Sequence, residues 1–327
     1  MMQSTDPLSH LRDRLSLPLI AAPMFLVSGV ELVVAACRNG VIGAFPTVNC
    51  RNPEQLDQWL GEIAGRLRRH SNESGKPTAP ICANLIVHRS NARLEQDLAV
   101  LLRHKPEIVI TSVGSPAPVL APLHEAGALV FADVASIRHA ERAVAAGADG
   151  LVLLTAGAGG QTGWLNPFAF VRAVRAFFDG PLVLAGGVSD GHALRAAQAL
   201  GCDLAYMGTR FIATRESMAD ARYKEMLVAS SADDILLTRA FTGLQTNMLR
   251  PSIEAAGLDP DDLPARGAID IGKDIDVGAR ENNPKRWRDI WSAGHSVSGV
   301  TEVLPVDELV ARTLAEYRDA ATRIQIV

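Results

Sequence analysis

The chain has 327 residues, 48% hydrophobic and 21% charged, with 32 Lys and Arg against 36 Asp and Glu for a net charge of −4. That balance excludes an intrinsically disordered chain, leaves length for a large core, and supplies no basic footprint for a nucleic-acid backbone. Aromatics make up only 5% and the four cysteines form no CxxC pair, so base-stacking platforms are excluded and the thiols read as reduced, in a cytoplasmic protein acting on a small molecule.

The apolar run from Leu15 to Cys37 is interrupted by Pro18, Pro23, Gly29 and Glu31, and charged residues precede it, so it predicts neither a signal peptide nor a membrane span. Within it begins the first of eight short runs rich in Val, Ile, Leu and Ala: Leu19 to Met24, Val41 to Phe45, Ile81 to Ile86, Ile108 to Thr111, Leu129 to Ala132, Leu151 to Leu154, Leu182 to Ala185 and Leu204 to Met207. Runs without period-2 alternation are what a parallel sheet covered on both faces requires. Amphipathic stretches between them predict helices, among them Pro53 to Arg69, Asn91 to Arg103, Ile137 to Ala146, Pro167 to Phe178 and Gly191 to Leu200. The turns Gly147 to Asp149 and Gly201 to Asp203 each end a helix and start the next strand. Eight such units predict an α/β fold, a (β/α)8 TIM barrel, over the alternative of an open doubly wound sheet.

From Glu216 to Pro284 the alternation stops. The tracts Asp259 to Asp262 and Arg280 to Pro284, with a helix over Ala219 to Val228, predict an inserted helical subdomain whose scattered Ile, Leu, Phe and Met argue against a disordered linker. A last helix, Val306 to Ile324, returns to the barrel, which divides the chain into a barrel of 1–215 and 285–327 and a helical insertion of 216–284.

Barrel chemistry sits at the C-terminal ends of the strands. Gly186 and Gly187 follow the seventh run, and Gly208 and Thr209 follow the eighth, at the two positions where barrels commonly hold phosphate on backbone N–H groups. After the sixth run, Ala156 to Gly163 holds four glycines and one polar tip, Gln161, a pattern that lets backbone approach something large and flat. After the first, Ala22-Pro23-Met24 is small enough for a ring to lie against it, or is simply core. His88, just beyond the third run, is a candidate base; the alternative is a rim histidine bonded to its own loop, and His295 is a second of the same kind.

Taken with Asn84 and the tract Trp291 to Gly294, these segments resemble, in order and strand placement and over nearly the whole chain, the nitronate monooxygenase family, formerly the 2-nitropropane dioxygenases. The resemblance implies an FMN-dependent barrel in which Gly186, Gly187, Gly208 and Thr209 hold the FMN phosphate. It also implies that Met24, Asn84 and the Gly157 loop contact the flavin, with Ala22, Pro23, Asp133 and Met207 completing the cofactor-binding set. Asp133, after the fifth run, stands where some relatives carry lysine, and Arg210 and Arg215 either neutralise the phosphate or simply end helices. Those relatives usually carry histidine where this chain has Gln161, which cannot titrate but can orient a substrate oxygen or the flavin. Gln161 and His88 are accordingly the candidate catalytic residues of an FMN-dependent oxidoreductase that oxidises a nitronate or similar small substrate with O2. Two alternatives stay open: an NAD(P)H-dependent flavin reductase of quinones or enoyl thioesters, and a flavin-binding protein without catalysis. Neither nucleic acid, metal nor membrane is an expected partner, and the chain leaves room for a homodimer.

Overall fold

The structure, a computed structural model, describes residues 7–264 and 288–323. Its strands are β1 (Leu19–Ala21), β2 (Ile42–Pro46), β3 (Ile81–Ile86), β4 (Ile108–Ser112), β5 (Leu129–Val134), β6 (Gly150–Leu154), β7 (Gly160–Gln161), β8 (Leu182–Ala185) and β9 (Leu204–Met207), followed by β10 (Ile235–Thr238) and β11 (Thr246–Leu249). All but β7, β10 and β11 pair in parallel, and the circle closes where β9 meets β1 with Leu19 opposite Ala205 and Ala21 opposite Met207. This is the eight-stranded TIM barrel, not an open sheet. The first strand stops at Ala21 rather than Met24 because the chain turns there: Ser28 Oγ accepts from Met24 N at 3.0 Å, and Ser28 N returns to the Met24 carbonyl at 3.0 Å.

The helices are α1 (Ser9–Arg12), α2 (Val30–Arg38), α3 (Pro53–Ser74), α4 (Leu94–His104), α5 (Ala117–Glu125), α6 (Ile137–Ala146), α7 (Pro167–Arg175), α8 (Gly191–Leu200), α9 (Thr209–Ile212), α10 (Ala221–Ala229), α11 (Arg250–Ala255) and α12 (Val306–Arg323). Side-chain caps explain several starts: Asn52 accepts from Gln55 N at 2.9 Å for α3, and Asp190 from Ala193 N at 2.7 Å for α8. Gly147 and Gly201 end α6 and α8 in the left-handed region, with φ of 99° and 111°, as their turn sequences predict. Replacing the α8 cap in Asp190→Ala should lower stability by about 1 kcal/mol. The check is a shifted urea midpoint with an unchanged slope.

Two apolar layers follow from strand alternation. Ile20, Ile42, Cys82, Ile110, Phe131 and Val183 fill the barrel, while Leu19, Ala21, Leu151, Leu153 and Met207 face the helices. Gly150 makes room for the Phe131 ring, which would lie 2.7 Å from any Cβ placed there.

Beyond β9 the chain leaves the barrel at Thr214, which pairs in parallel with Leu304 where the chain returns. The insertion expected as a helical subdomain over 216–284 holds strands as well as helices. Besides α10 and α11, the segment contains the antiparallel hairpin β10–β11, and β11 in turn pairs with β7 from the barrel's sixth loop. The hairpin escapes sequence reading because Ile235–Thr238 is only four residues long and stays partly exposed along its whole length. Residues 265–284, including the tract Arg280 to Pro284, lie outside the described residues.

Candidate functional site

A cavity of about 250 Å³ opens at the C-terminal end of the barrel. Its floor comes from the barrel strands β2 to β6, β8 and β9 and from the residue that follows β1. On one side stand Pro46, Asn84, Ser112 and Asp133 from β2 to β5; on the other are Leu154, Ala185 and Tyr206 from β6, β8 and β9, with Ala22 just beyond β1. The polar members gather as an arc on β3, β4 and β5. Asn84 Nδ2 donates to Ser112 Oγ at 2.5 Å, and Ser112 Oγ donates to Asp133 Oδ2. Burial pushes the Asp133 carboxyl up to about 7, with the Ser112 hydrogen bond pulling the other way. Asp133 Oδ1 and the Tyr206 hydroxyl are buried and have no hydrogen-bond partner among the described residues.

Across the cavity from β4 and β5 lie the glycine tracts. Gly186 and Gly187 have φ of 122° and 78°, in the region that favours glycine. A Cβ on Gly187 would meet nothing within 4 Å, so its backbone faces open cavity, whereas one on Gly186 would strike Thr155 Oγ1 at 2.5 Å. Gly208 and Thr209 stand beside them, and Thr209 Oγ1 accepts from Gly294 N at 3.0 Å. That bond ties the second loop to the returning chain.

The glycines of the sixth loop serve a different purpose from the one their sequence predicts. A Cβ on Gly159 would lie 2.7 Å from Gly294 N, one on Gly163 2.2 Å from the Leu154 carbonyl, and one on Gly157 2.8 Å from His295 Nδ1. Three of the four therefore crowd protein rather than leave room for a ligand. The loop ends in β7, where Gln161 pairs with Thr246 of β11 and its neighbour Thr162 N donates to the Gln245 carbonyl at 3.0 Å. Gln161 lines the cavity, and its amide makes no hydrogen bond among the described residues. Opposite stands a wall of which sequence reasoning singled out Trp291 and missed Tyr223: Tyr223 of α10 stacks on Trp291 with centroids 5.0 Å apart and planes at 10°, and the Tyr223 hydroxyl donates to the Ser292 carbonyl.

Of the predicted site residues, Ala22, Pro23, Met24, Asn84, Asp133, Gly157, Gln161, Gly186, Gly187, Gly208 and Thr209 all line this one cavity. Met207 and His88 do not. Met207 faces the helical layer because it follows the inward Tyr206, and strand alternation, applied to Leu204 to Met207, would have selected Tyr206. His88 turns into its own loop, its Nδ1 sharing a hydrogen bond with Ser90 Oγ at 2.7 Å. His295 is exposed and packs on the outside of Gly157. Asp133 lies within β5, not after it. Arg210 donates to the Gly299 carbonyl and Arg215 is exposed, so neither reaches the glycine tracts. Among the described residues there is no cluster of metal-ligating side chains and no helix long and apolar enough to cross a membrane. All four cysteines are buried and free.

The nitronate monooxygenase family profile matches residues 10–316. The nitronate monooxygenase of Paraburkholderia phytofirmans is 28% identical over 94% of both chains. Among solved structures, a nitroalkane oxidase from Streptomyces ansochromogenes superposes with a TM-score of 0.79 at 25% identity, covering 97% of this chain and all of that one. FabK from Thermotoga maritima superposes at 0.76 with 22% identity over 98% of both, a likeness of fold.

Proposed function

The chain belongs to the nitronate monooxygenase family and is an oxidoreductase, and on that premise we propose that it holds FMN across the barrel mouth and oxidises a nitronate or similar small anion with O2. One observation carries the reading: a single cavity in which glycine tracts suited to a phosphate stand on the loops after β8 and β9, and an arc of polar side chains suited to a ring edge stands on β3, β4 and β5. The unpartnered Asp133 Oδ1 and Tyr206 hydroxyl and the open face of Gly187 fit such a cofactor, since buried polar atoms persist where a ligand meets them.

When bound, the flavin would supply the redox chemistry between the substrate and oxygen. The protein's own residues supply position. Gly187, Val188, Gly208 and Thr209, which line one side of the cavity, would offer backbone N–H groups to the phosphate, and Asn84, Ser112 and Asp133 would hold the ring edge. Gln161 orients a substrate oxygen through its amide but cannot take a proton from carbon, so the substrate arrives already as the anion. Tyr223 and Trp291, carried by the insertion and the returning chain, roof the site and exclude water.

Anaerobic mixing tests the reading. A nitronate should bleach the FMN-loaded protein, while NADH and NADPH should leave it yellow. Rapid bleaching by a reduced nicotinamide and none by nitronates would instead establish a flavin reductase, and protein that stays colourless after incubation with FMN would remove the cofactor.

A further inference from the structure

The hydrogen-bond order along the polar arc decides what its open end offers. Asn84 Nδ2 donates to Ser112 Oγ and, at 3.2 Å, to the Ile110 carbonyl, so the Ser112 proton is turned toward Asp133 Oδ2. Oδ2 is thereby an acceptor, and the proton of the neutral carboxyl falls to Oδ1, the oxygen without a protein partner. Asn84, its amide nitrogen committed, presents its oxygen to the cavity, and the Tyr206 hydroxyl is a second free donor. One acceptor with two donors complements the pyrimidine edge of an isoalloxazine, where a single N–H lies between two carbonyls. A buried carboxyl oxygen left unpaired is destabilising, so a ligand that meets it is favoured.

We propose that Asp133 Oδ1 donates a hydrogen bond to a pyrimidine carbonyl of the bound flavin, so that cofactor affinity is set by the protonation of this one carboxyl; the inference rests on the flavin reading above. Burial holds the group near 7, far above an ordinary aspartate. The other titratable groups facing it are Cys82 on β3 and Tyr206 on β9, each pushed well above its usual value, first by burial and then by Asp133 itself, so neither ionises near neutrality. Ser112 on β4 donates without titrating. The sign follows. Below its pKa the carboxyl is neutral and donates; above it a carboxylate confronts a carbonyl oxygen and repels it. Affinity for FMN therefore falls as pH rises through neutrality, by up to about tenfold per unit.

FMN titrations followed by flavin fluorescence between about pH 6 and pH 9 measure this, on either side of the carboxyl's value. Asp133→Asn keeps a donor that does not titrate, and its affinity should stay flat where the natural protein's falls. The flavin phosphate, whose second pKa lies at about 6, contributes equally to both and cancels in the comparison. Ser112→Ala removes the bond that holds the carboxyl down and should move the fall to higher pH. Parallel profiles for the natural protein and Asp133→Asn, with both binding FMN, overturn the inference alone. Failure of the natural protein to bind FMN at any pH overturns the flavin reading and this inference with it. Should Asp133→Asn fail to fold, an unmoved fall in Ser112→Ala overturns the inference.

Discussion

Gly294→Ala is expected to cost the protein most of its hold on flavin while leaving the barrel intact. A Cβ at this position would lie 2.4 Å from the Gly157 carbonyl oxygen and 2.8 Å from Gly159 N, both backbone atoms that cannot swing aside. One strand of contact must therefore shift. Relief by moving the returning chain would break the bond from Gly294 N to Thr209 Oγ1, and relief by moving the sixth loop would displace Gln161. Overpacking of this kind costs about 1–3 kcal/mol. Applied to a binding site, it corresponds to roughly tenfold to hundredfold weaker FMN binding. Fluorescence titration reads the affinity and a thermal melt reads the fold; natural affinity in the variant would show that the backbone contact does not hold the site together.

The second large effect belongs to Gln161. Its backbone is fixed by pairing with Thr246, and its amide has no partner among the described residues, so it is free to bond a ligand. Hydrogen bonds to charged groups contribute about 1.5–3 kcal/mol, and each 1.36 kcal/mol of barrier is tenfold in rate. Gln161→Ala should accordingly lower turnover on a nitronate by about tenfold to hundredfold while FMN stays bound. Gln161→His places a titratable ring at the same point and should extend use from nitronates to neutral nitroalkanes, since a base is then at hand to take the carbon-bound proton. Steady-state rates on matched nitronate and nitroalkane pairs decide it. A Gln161→Ala variant as fast as the natural protein would remove the residue from the mechanism.

The barrel was legible because its signals are local. Each strand is a short apolar run and each helix an amphipathic one, so periodicity locates them within a few residues, and caps such as Asp190 and Gly201 mark the ends. Ordering the strands then placed Asn84, Gly187 and Thr209 at one mouth without further information. What stayed hidden depends on distant pairing. Nothing local marks Gly160–Gln161 as a strand, because its partner lies in Thr246–Leu249. The glycines at 159 and 294 look like ligand-facing or flexible residues in sequence, yet each is small because the other's backbone passes beside it. Tyr223 and Trp291 meet only after the insertion folds back, and the choice between Met207 and Tyr206 needed the direction of alternation rather than the motif.

The pairing of β7 with β11, and of the sixth loop with Gly294, also sets an order of assembly. All eight barrel strands have been synthesised once Met207 has been added, and their neighbours are mostly consecutive, so closure can begin before the chain is complete. Gln161 cannot take its register until Thr246 follows, and the loop after β9 is not tied down until Gly294 does. The barrel scaffold thus precedes the completed cavity in synthesis, and the two ties that finish the cavity, at Thr246 and then at Gly294, come last.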